Sequence, residues 1–417
     1  MKRVLLLATT TGYQIRSFGD AAEKLGVRLV FASDRCDQLD DPWWDRAIPV
    51  RFHDEARSVD AIERACGDQP PDGIVAVGDR PVVLAAQVAR AFGLPGHPPA
   101  AAAVSRNKLL TRRALQAAGL PTPWFEPVSF DGDRTEWVRR VPYPAVVKPL
   151  ALSGSRGVMR VDDEQACIAA VDRLRHLLES PDVRIERDAA HGLALVESFI
   201  PGVEYAVEGL LDRGRLRVLT IFDKPDPLDG PYFEETIYLT PSTAPAATQS
   251  RITATVDAAA RAMGLHHGPI HAECRVNGSQ VYVLEIAARP LGGLCSRALR
   301  FEKDVSLEEL LLRHALGEDV SSYGREAAAA GVMMIPIPKP GIFRRVDGLE
   351  AARAVPGVED VRITTKPDAH VVPLPEARSY LGFIFARGER GTVVEHALRS
   401  AHARLQFVID REVAVVA

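Results

Sequence analysis

The stretch Ile270-His271-Ala272-Glu273-Cys274-Arg275-Val276-Asn277-Gly278-Ser279-Gln280-Val281-Tyr282-Val283-Leu284-Glu285-Ile286-Ala287-Ala288-Arg289 sets two apolar runs around an Asn-Gly-Ser turn signal. Each run carries one glutamate, Glu273 or Glu285, where a carboxylate is costly unless something cationic neutralises it. A strictly two-residue turn at Asn277-Gly278 pairs Val276 with Ser279 and sends the two glutamates to opposite faces. A three-residue turn pairs Val276 with Gln280, sets Glu285 opposite His271, and makes Glu273 its diagonal neighbour. Convergence of the two carboxylates therefore needs an odd connection, or a bulge that restores the register. In that register they suit Mg2+, which takes one or two carboxylates together with nucleotide phosphates. The bland alternative is a solvated hairpin with Glu285 paired to Arg289. A zinc set from His266, His267 and His271 is disfavoured, because these lack the helical spacing of a zinc-binding histidine pair.

Upstream, Val146-Val147-Lys148-Pro149 places a lysine at the end of an apolar strand, before the loop Ser153-Gly154-Ser155-Arg156-Gly157. A loop without bulky side chains lets backbone N–H groups approach phosphate oxygens, and an ammonium adds a point charge. Taken alone, a flexible hairpin with a solvated lysine explains the segment as well, and the absence of a Gly-Lys-Ser/Thr ending excludes a P-loop.

Further out, apolar runs alternate with amphipathic helices from Val4 to Gly93, which predicts a parallel sheet covered on both faces. Its first turn, Thr9-Thr10-Thr11-Gly12, lacks the Gly-x-Gly-x-x-Gly of a dinucleotide site. The breaker Leu94-Pro95-Gly96-His97-Pro98-Pro99 ends this unit, and one long Ala-rich helix is expected up to Gly119. A strand-and-helix module follows, then strands dominate, with a hairpin at Asp212-Arg213-Gly214. Beyond Gly331 a separate small α+β tail is expected.

The chain has 417 residues, 47% hydrophobic and 25% charged, which is enough for several domains. A net charge of −4 without a basic patch argues against nucleic acid as a partner. The five cysteines are odd in number and isolated, which fits a reducing cytoplasm. No run of about eighteen apolar residues marks a membrane span.

The ordered set of Lys108, Val147-Lys148-Pro149 with its Gly/Ser loop, Glu197-Ser198-Phe199-Ile200-Pro201-Gly202-Val203-Glu204, Glu273 and Glu285-Ile286-Ala287-Ala288-Arg289 resembles the ATP-grasp superfamily. The length, the tail and the Glu-x-x-x-Arg ending look most like its L-amino-acid ligase branch. The resemblance implies an α/β and α+β chain: a Rossmann-like parallel-sheet domain over 1–97, an ATP-grasp domain over 98–320 with a lid subdomain near 125–195, and a C-terminal α+β domain over 321–417. It implies that Lys108, Lys148 and the loop residues Ser153, Gly154, Ser155 and Gly157 hold the phosphates of ATP. Glu197, Phe199 and Ile200 would form the adenine hinge, and Glu204 would take the ribose hydroxyls. Glu273 and Glu285 would bind Mg2+, two ions in all and replaceable by Mn2+. Arg289 would stabilise the transferring phosphoryl group, and His271 would face the substrate.

The implied activity is ATP-dependent joining of an amino acid, or another carboxylate, to an amine through an acyl-phosphate, with release of ADP and phosphate. The partners are then small molecules, with neither nucleic acid nor membrane, and a homodimer is compatible. Two departures stand out: Ala287 occupies the place where many relatives carry a metal-binding asparagine, and His271, two before Glu273, stands where some relatives carry a cationic residue facing the substrate; no general base is evident beyond His267 or His271. Other ATP-grasp ligases or carboxylases of nucleotide, cell-wall or cofactor synthesis, and a non-catalytic ATP-binding scaffold, remain open at this level.

Overall fold

The computed structural model describes residues 1–10, 14–35, 47–132 and 136–411, so Thr11, Gly12 and Cys36 lie outside the described residues. The strands Arg3–Ala8, Arg28–Ser33, Ile48–Pro49 and Gly73–Val77 form an all-parallel sheet, in the spatial order third, second, first, fourth. Its central strand is apolar throughout because both faces are covered. Leu5 and Leu7 pack with Ile62 and Leu84 on one side, while Val4 and Leu6 pack with Phe18 and Leu310 on the other.

The single Ala-rich helix expected before Gly119 is instead two helices, Pro99–Arg106 and Lys108–Ala117. Asn107 leaves helical geometry between them (φ −116°, ψ 110°), and its side-chain oxygen accepts from the amides of Leu109 and Leu110. An asparagine that caps orphan amides restarts a helix rather than continuing one. Lys108 is thereby set at the first turn of the second helix, with its amide bonded to the carbonyl of Leu150.

Four antiparallel strands, Phe125–Ser129, Leu193–Ser198, Ala145–Pro149 and Met159–Val161, make a small subdomain in that spatial order. The helix Glu164–Leu178, capped by Asp163, closes one face, and Val147, Val161, Leu174 and Val196 form a core of its own.

The largest sheet has eight strands. Val203–Asp212 sits between Gly268–Asn277 and Arg215–Asp223, and Gln280–Ala287 forms the edge beyond Gly268–Asn277. The tail, expected as a separate unit, carries a core around Phe343, Val361 and Leu398. Its strands Ala329–Ile335, Gly382–Gly388 and Val358–Ile363 nonetheless continue the same sheet through Ile237–Thr240. Backbone hydrogen bonding across that junction removes an exposed edge that a detached tail would leave. Among the described residues no helix is long and apolar enough to cross a membrane.

Candidate active site

The hairpin register is decided at two places. The turn is a two-residue one at Gly278-Ser279, with Asn277 facing Gln280 and Gly278 at φ +59°, so the three-residue connection expected from sequence is not formed. Left alone, this ladder would hold an odd register. A bulge at Leu284, between the pairs Cys274 with Val283 and Glu273 with Glu285, shifts it by one residue. Glu273 therefore stands directly opposite Glu285, and His271 opposite Ala287 rather than Glu285. Both carboxylates are about a quarter exposed and face one cleft of about 730 Å³, which Leu284 also lines.

The expected site residues other than Gly157 line this cleft. Lys108 reaches Oε2 of Glu285 at 2.9 Å and the carbonyl of Leu152 at 2.8 Å. Lys148 is buried and bonds Glu197, which Arg112 grips with both Nε (2.8 Å) and Nη2 (3.1 Å). Burial pushes the Lys148 ammonium down to about 8, with Glu197 opposing and Arg112 reinforcing. Burial alone would raise Glu197, but Arg112 and Lys148 outweigh it and hold the carboxyl down to about 2. The Glu197 side chain is thus an anchor for Lys148.

The hinge residues are partly engaged within the protein. The amides of Ser198 and Phe199 are donated to the carbonyls of Trp124 and Pro144, and the carbonyl of Ile200 accepts from Arg275. The Phe199 ring lies against the guanidiniums of Arg160 and Arg275, at 4.6 and 5.0 Å. Glu204, expected to meet a ribose, spends one oxygen on Lys224 (2.7 Å) and the other on Arg275 (2.8 Å). In the Gly/Ser loop, Ser153 and Gly154 are exposed and Ser155 is half-buried, with positive φ at Gly154 and Ser155. Gly157 departs from expectation: its amide donates to the carbonyl of Pro375 and does not point into the cleft as a free donor.

Arg289 is buried and forms a two-pronged pair with Asp79, which follows the last strand of the N-terminal sheet. Burial opposes its charge, and Asp79 outweighs that and raises the guanidinium further. His271 bonds through Nδ1 to Oε2 of Glu208 at 3.1 Å, and its Nε2 lies 3.8 Å from Glu273. Glu208 is fully buried and also accepts from the amide of Leu291. Burial pushes His271 down, but its hydrogen bonds to Glu208 and Glu273 dominate and lift it to about 9. The carboxylates of Glu208 and Glu273 thus favour the protonated ring. His267 lies at the opposite end of the same strand region and does not line the cleft.

Sequence reasoning missed Glu208, Lys224, Glu235, Asp79 and Arg112. Glu204, Glu235 and Glu273 bring ligand oxygens within 4.8 Å of one another, and the Lys224 ammonium bonds or contacts all three. Glu208 could have been found by the rule that exposed Glu273 and Glu285, since it too interrupts an apolar strand.

Residues 19–96 match the ATP-grasp N-terminal domain, 141–298 the ATP-grasp domain, and 333–410 the L-amino acid ligase C-terminal domain 2. A D-alanine–D-alanine ligase of Aromatoleum aromaticum is 30% identical over 224 residues, 52% of this chain and 67% of that protein. The chain belongs to the ATP-grasp superfamily. Within the ATP-grasp ligases it is of the L-amino-acid-ligase type, an enzyme forming C–N bonds among the ATP-dependent carboxylate–amine ligases. The crystal structure of L-amino acid ligase from Bacillus licheniformis is similar over 99% of both chains, at TM-score 0.83 and 28% identity. Carnosine synthase 1 of Gallus gallus is 32% identical over 311 residues, 70% of this chain, although the match spans only 33% of that longer protein.

Proposed function

We propose that this ATP-grasp enzyme joins the carboxylate of an amino acid to the amine of a second amino acid or related amine, through an acyl-phosphate, with release of ADP and phosphate. The observation that carries the reading is the bulge at Leu284, which turns Glu273 and Glu285 onto one wall of a cleft that also holds Lys108, Lys148 and Arg289. Relatives named as L-amino acid ligase and carnosine synthase support the substrate class.

The donor set fits Mg2+ and a nucleotide. Glu273 and Glu285 offer hard oxygen ligands, and their present partners, Lys224, His271 and Lys108, are cations that supply the neutralisation a metal ion would share. Ala287 supplies no further oxygen, and water completes a Mg2+ shell readily. When bound, one or two such ions, with Mn2+ as a substitute, would neutralise phosphate charge.

The rest falls to the chain's own residues. Lys108 and Lys148 would hold the phosphates, with Ser153, Gly154 and Ser155 closing over them. Glu197, Phe199 and Ile200 border the adenine end, and Glu204 acts there mainly by fixing Arg275 against the Phe199 ring. Arg289, held rigid by Asp79, is aimed where negative charge grows as the carboxylate is phosphorylated and attacked. His271, fixed as a cation by Glu208, orients Glu273 and offers charge to a substrate carboxylate. Closure of the 125–195 subdomain would exclude water from the acyl-phosphate.

ADP release, measured over a panel of amino-acid pairs and other amines, tests the reading. At least one pair should stimulate ADP release strongly, with an amide product found by mass spectrometry. Glu285→Gln should reduce that turnover by at least about 10³-fold while leaving the thermal transition in place, as expected for loss of a metal ligand. Near-normal turnover in this variant would overturn the site assignment.

A further inference from the structure

Far from the cleft, three metal-ligating side chains meet where no part of the proposed chemistry needs them. Asp212 ends the strand Val203–Asp212, His267 precedes the strand Gly268–Asn277, and His314 sits in the last turn of the helix Leu307–Ala315. Their ligand atoms all lie within 4.8 Å of one another. Six residues of strand separate His267 from Glu273, roughly 20 Å at the usual rise per residue, so this cluster is separate from the carboxylate pair.

The two histidines are more than nine-tenths buried, and their rings stack with centroids 4.2 Å apart. Nε2 of His267 and Nε2 of His314 have no hydrogen-bond partner. Buried ring nitrogens without partners are costly, and a native structure keeps them where something else uses the lone pair. Nδ1 of His267 pairs with Oδ1 of Asp212 at 3.3 Å, while the Asp212 carboxylate is 68% exposed and open to solvent. The neighbouring His97 is different. Its Nδ1 accepts from the amide of His266 and its Nε2 lies 3.4 Å from the carbonyl of Pro269, so it has no lone pair to offer.

From this geometry we propose that Asp212, His267 and His314 form a structural site for a divalent transition-metal ion, zinc by the chemistry of the donors, with water in the fourth position. Two imidazole nitrogens and one carboxylate are a set that zinc accepts, and four-coordinate zinc draws its ligand atoms to about 3.3 Å from one another. The rings now lie in near-parallel planes, 17° apart, so an ion would draw them out of this stack until one nitrogen of each converges with the exposed Asp212 carboxylate. The helix C-terminus at Ala315 adds negative potential at the site, opposing the charge of nearby Arg213.

The position gives the ion a role. The same helix end packs so closely on the N-terminal sheet that a Cβ on Gly73 would come within 2.4 Å of the carbonyl oxygen of Ala315. An ion here would pin that helix, and the N-terminal sheet behind it, to two adjacent strands of the central sheet.

The test uses full-length protein freed of metal with a chelator and titrated with Co2+, whose visible absorption reports four-coordinate nitrogen and oxygen ligation, with Zn2+ as competitor. One ion per chain should give the band in the wild type and in Glu285→Gln, be displaced by Zn2+, and raise the unfolding temperature. Asp212→Asn, a surface change that leaves the fold in place, should weaken binding by at least about tenfold, and His314→Gln should abolish the band. Absence of the band in the wild type, its loss in Glu285→Gln, or unchanged binding in Asp212→Asn would each overturn the proposal.

Discussion

Lys148 and Lys224 are both buried beside one cleft, Lys148 in its lining and Lys224 behind the lining carboxylates Glu204, Glu235 and Glu273, yet they sit in opposite electrostatic company. On the Lys148 wall two cations, Lys148 and Arg112, share the single carboxylate of Glu197. On the Lys224 wall three cations, Lys224, Arg275 and His271, face four carboxylates, Glu204, Glu208, Glu235 and Glu273. The consequences for the two ammonium groups are opposite. Burial and Arg112 push Lys148 down to about 8, whereas the carboxylates around Lys224 overcome burial and raise it well above its ordinary value. One wall has a cation to spare and the other an anion to spare, which suits phosphate on the first side and metal on the second.

The sharpest way to break this comparison is to delete the cation on the anionic wall. Lys224→Met leaves Glu204 with Arg275, Glu273 with His271 and Glu235 without a cation, and loss of one partner from a buried charge cluster costs about 3–5 kcal/mol. Thermal unfolding should show a loss of that size, partly restored by millimolar Mg2+, because a metal ion can take the place of the ammonium. A loss that Mg2+ leaves untouched would mean that this wall does not accept a metal.

The opposite wall should respond in binding more than in stability. Lys148→Ala leaves Glu197 still held by Arg112, so the carboxylate is not stranded. A charge-assisted contact is worth about 1.5–3 kcal/mol, so the KM for ATP should rise roughly tenfold to a hundredfold. The rise should be insensitive to Mg2+ concentration, and an unchanged KM would remove Lys148 from the phosphate site.

The two walls were unequally legible in the sequence. Three of the four strands of the N-terminal sheet could be read from their apolar runs, because a buried parallel strand such as Val4 to Leu7 writes its environment as an unbroken run, whereas the two-residue strand Ile48–Pro49 was too short to show. Glu273 and Glu285 stood out by the same logic, as charges in apolar surroundings. Their register did not follow from the turn. A bulge at Leu284 leaves no local signature in residue type, since leucine fits a regular strand as well as an irregular one, and tertiary packing decides. The partners Arg112, Asp79 and Lys224 were illegible for another reason. They lie on segments far from the residues they neutralise, 85 positions away in the case of Arg112 and Glu197 and 210 in that of Asp79 and Arg289. Periodicity constrains a segment's own face and says nothing about which distant charge meets it.

The smallest expected effect concerns how the cationic wall is hinged to the rest. Arg173, on the helix that covers the small sheet, bonds both oxygens of Glu376 at 2.7 and 2.9 Å and the hydroxyl of Tyr232 at 2.6 Å. The pair is exposed, at 45% and 36%, and solvent screening holds such contacts to about 0.2–1 kcal/mol. The Gly157 amide to Pro375 and the Arg378 pair with Asp182 tie the same two regions together in parallel. Arg173→Ala should therefore leave global stability almost unchanged and raise the open population of the 125–195 subdomain by no more than about fivefold. Limited trypsin cleavage after Arg156 reports that population, because cleavage of a transiently opened loop follows its equilibrium when closing is fast. A rise of a hundredfold would make this one pair the latch and contradict the shared-tether picture. No rise at all would mean that the subdomain is held elsewhere, and that the closure proposed over the phosphates does not hinge on its contact with the 373–380 segment.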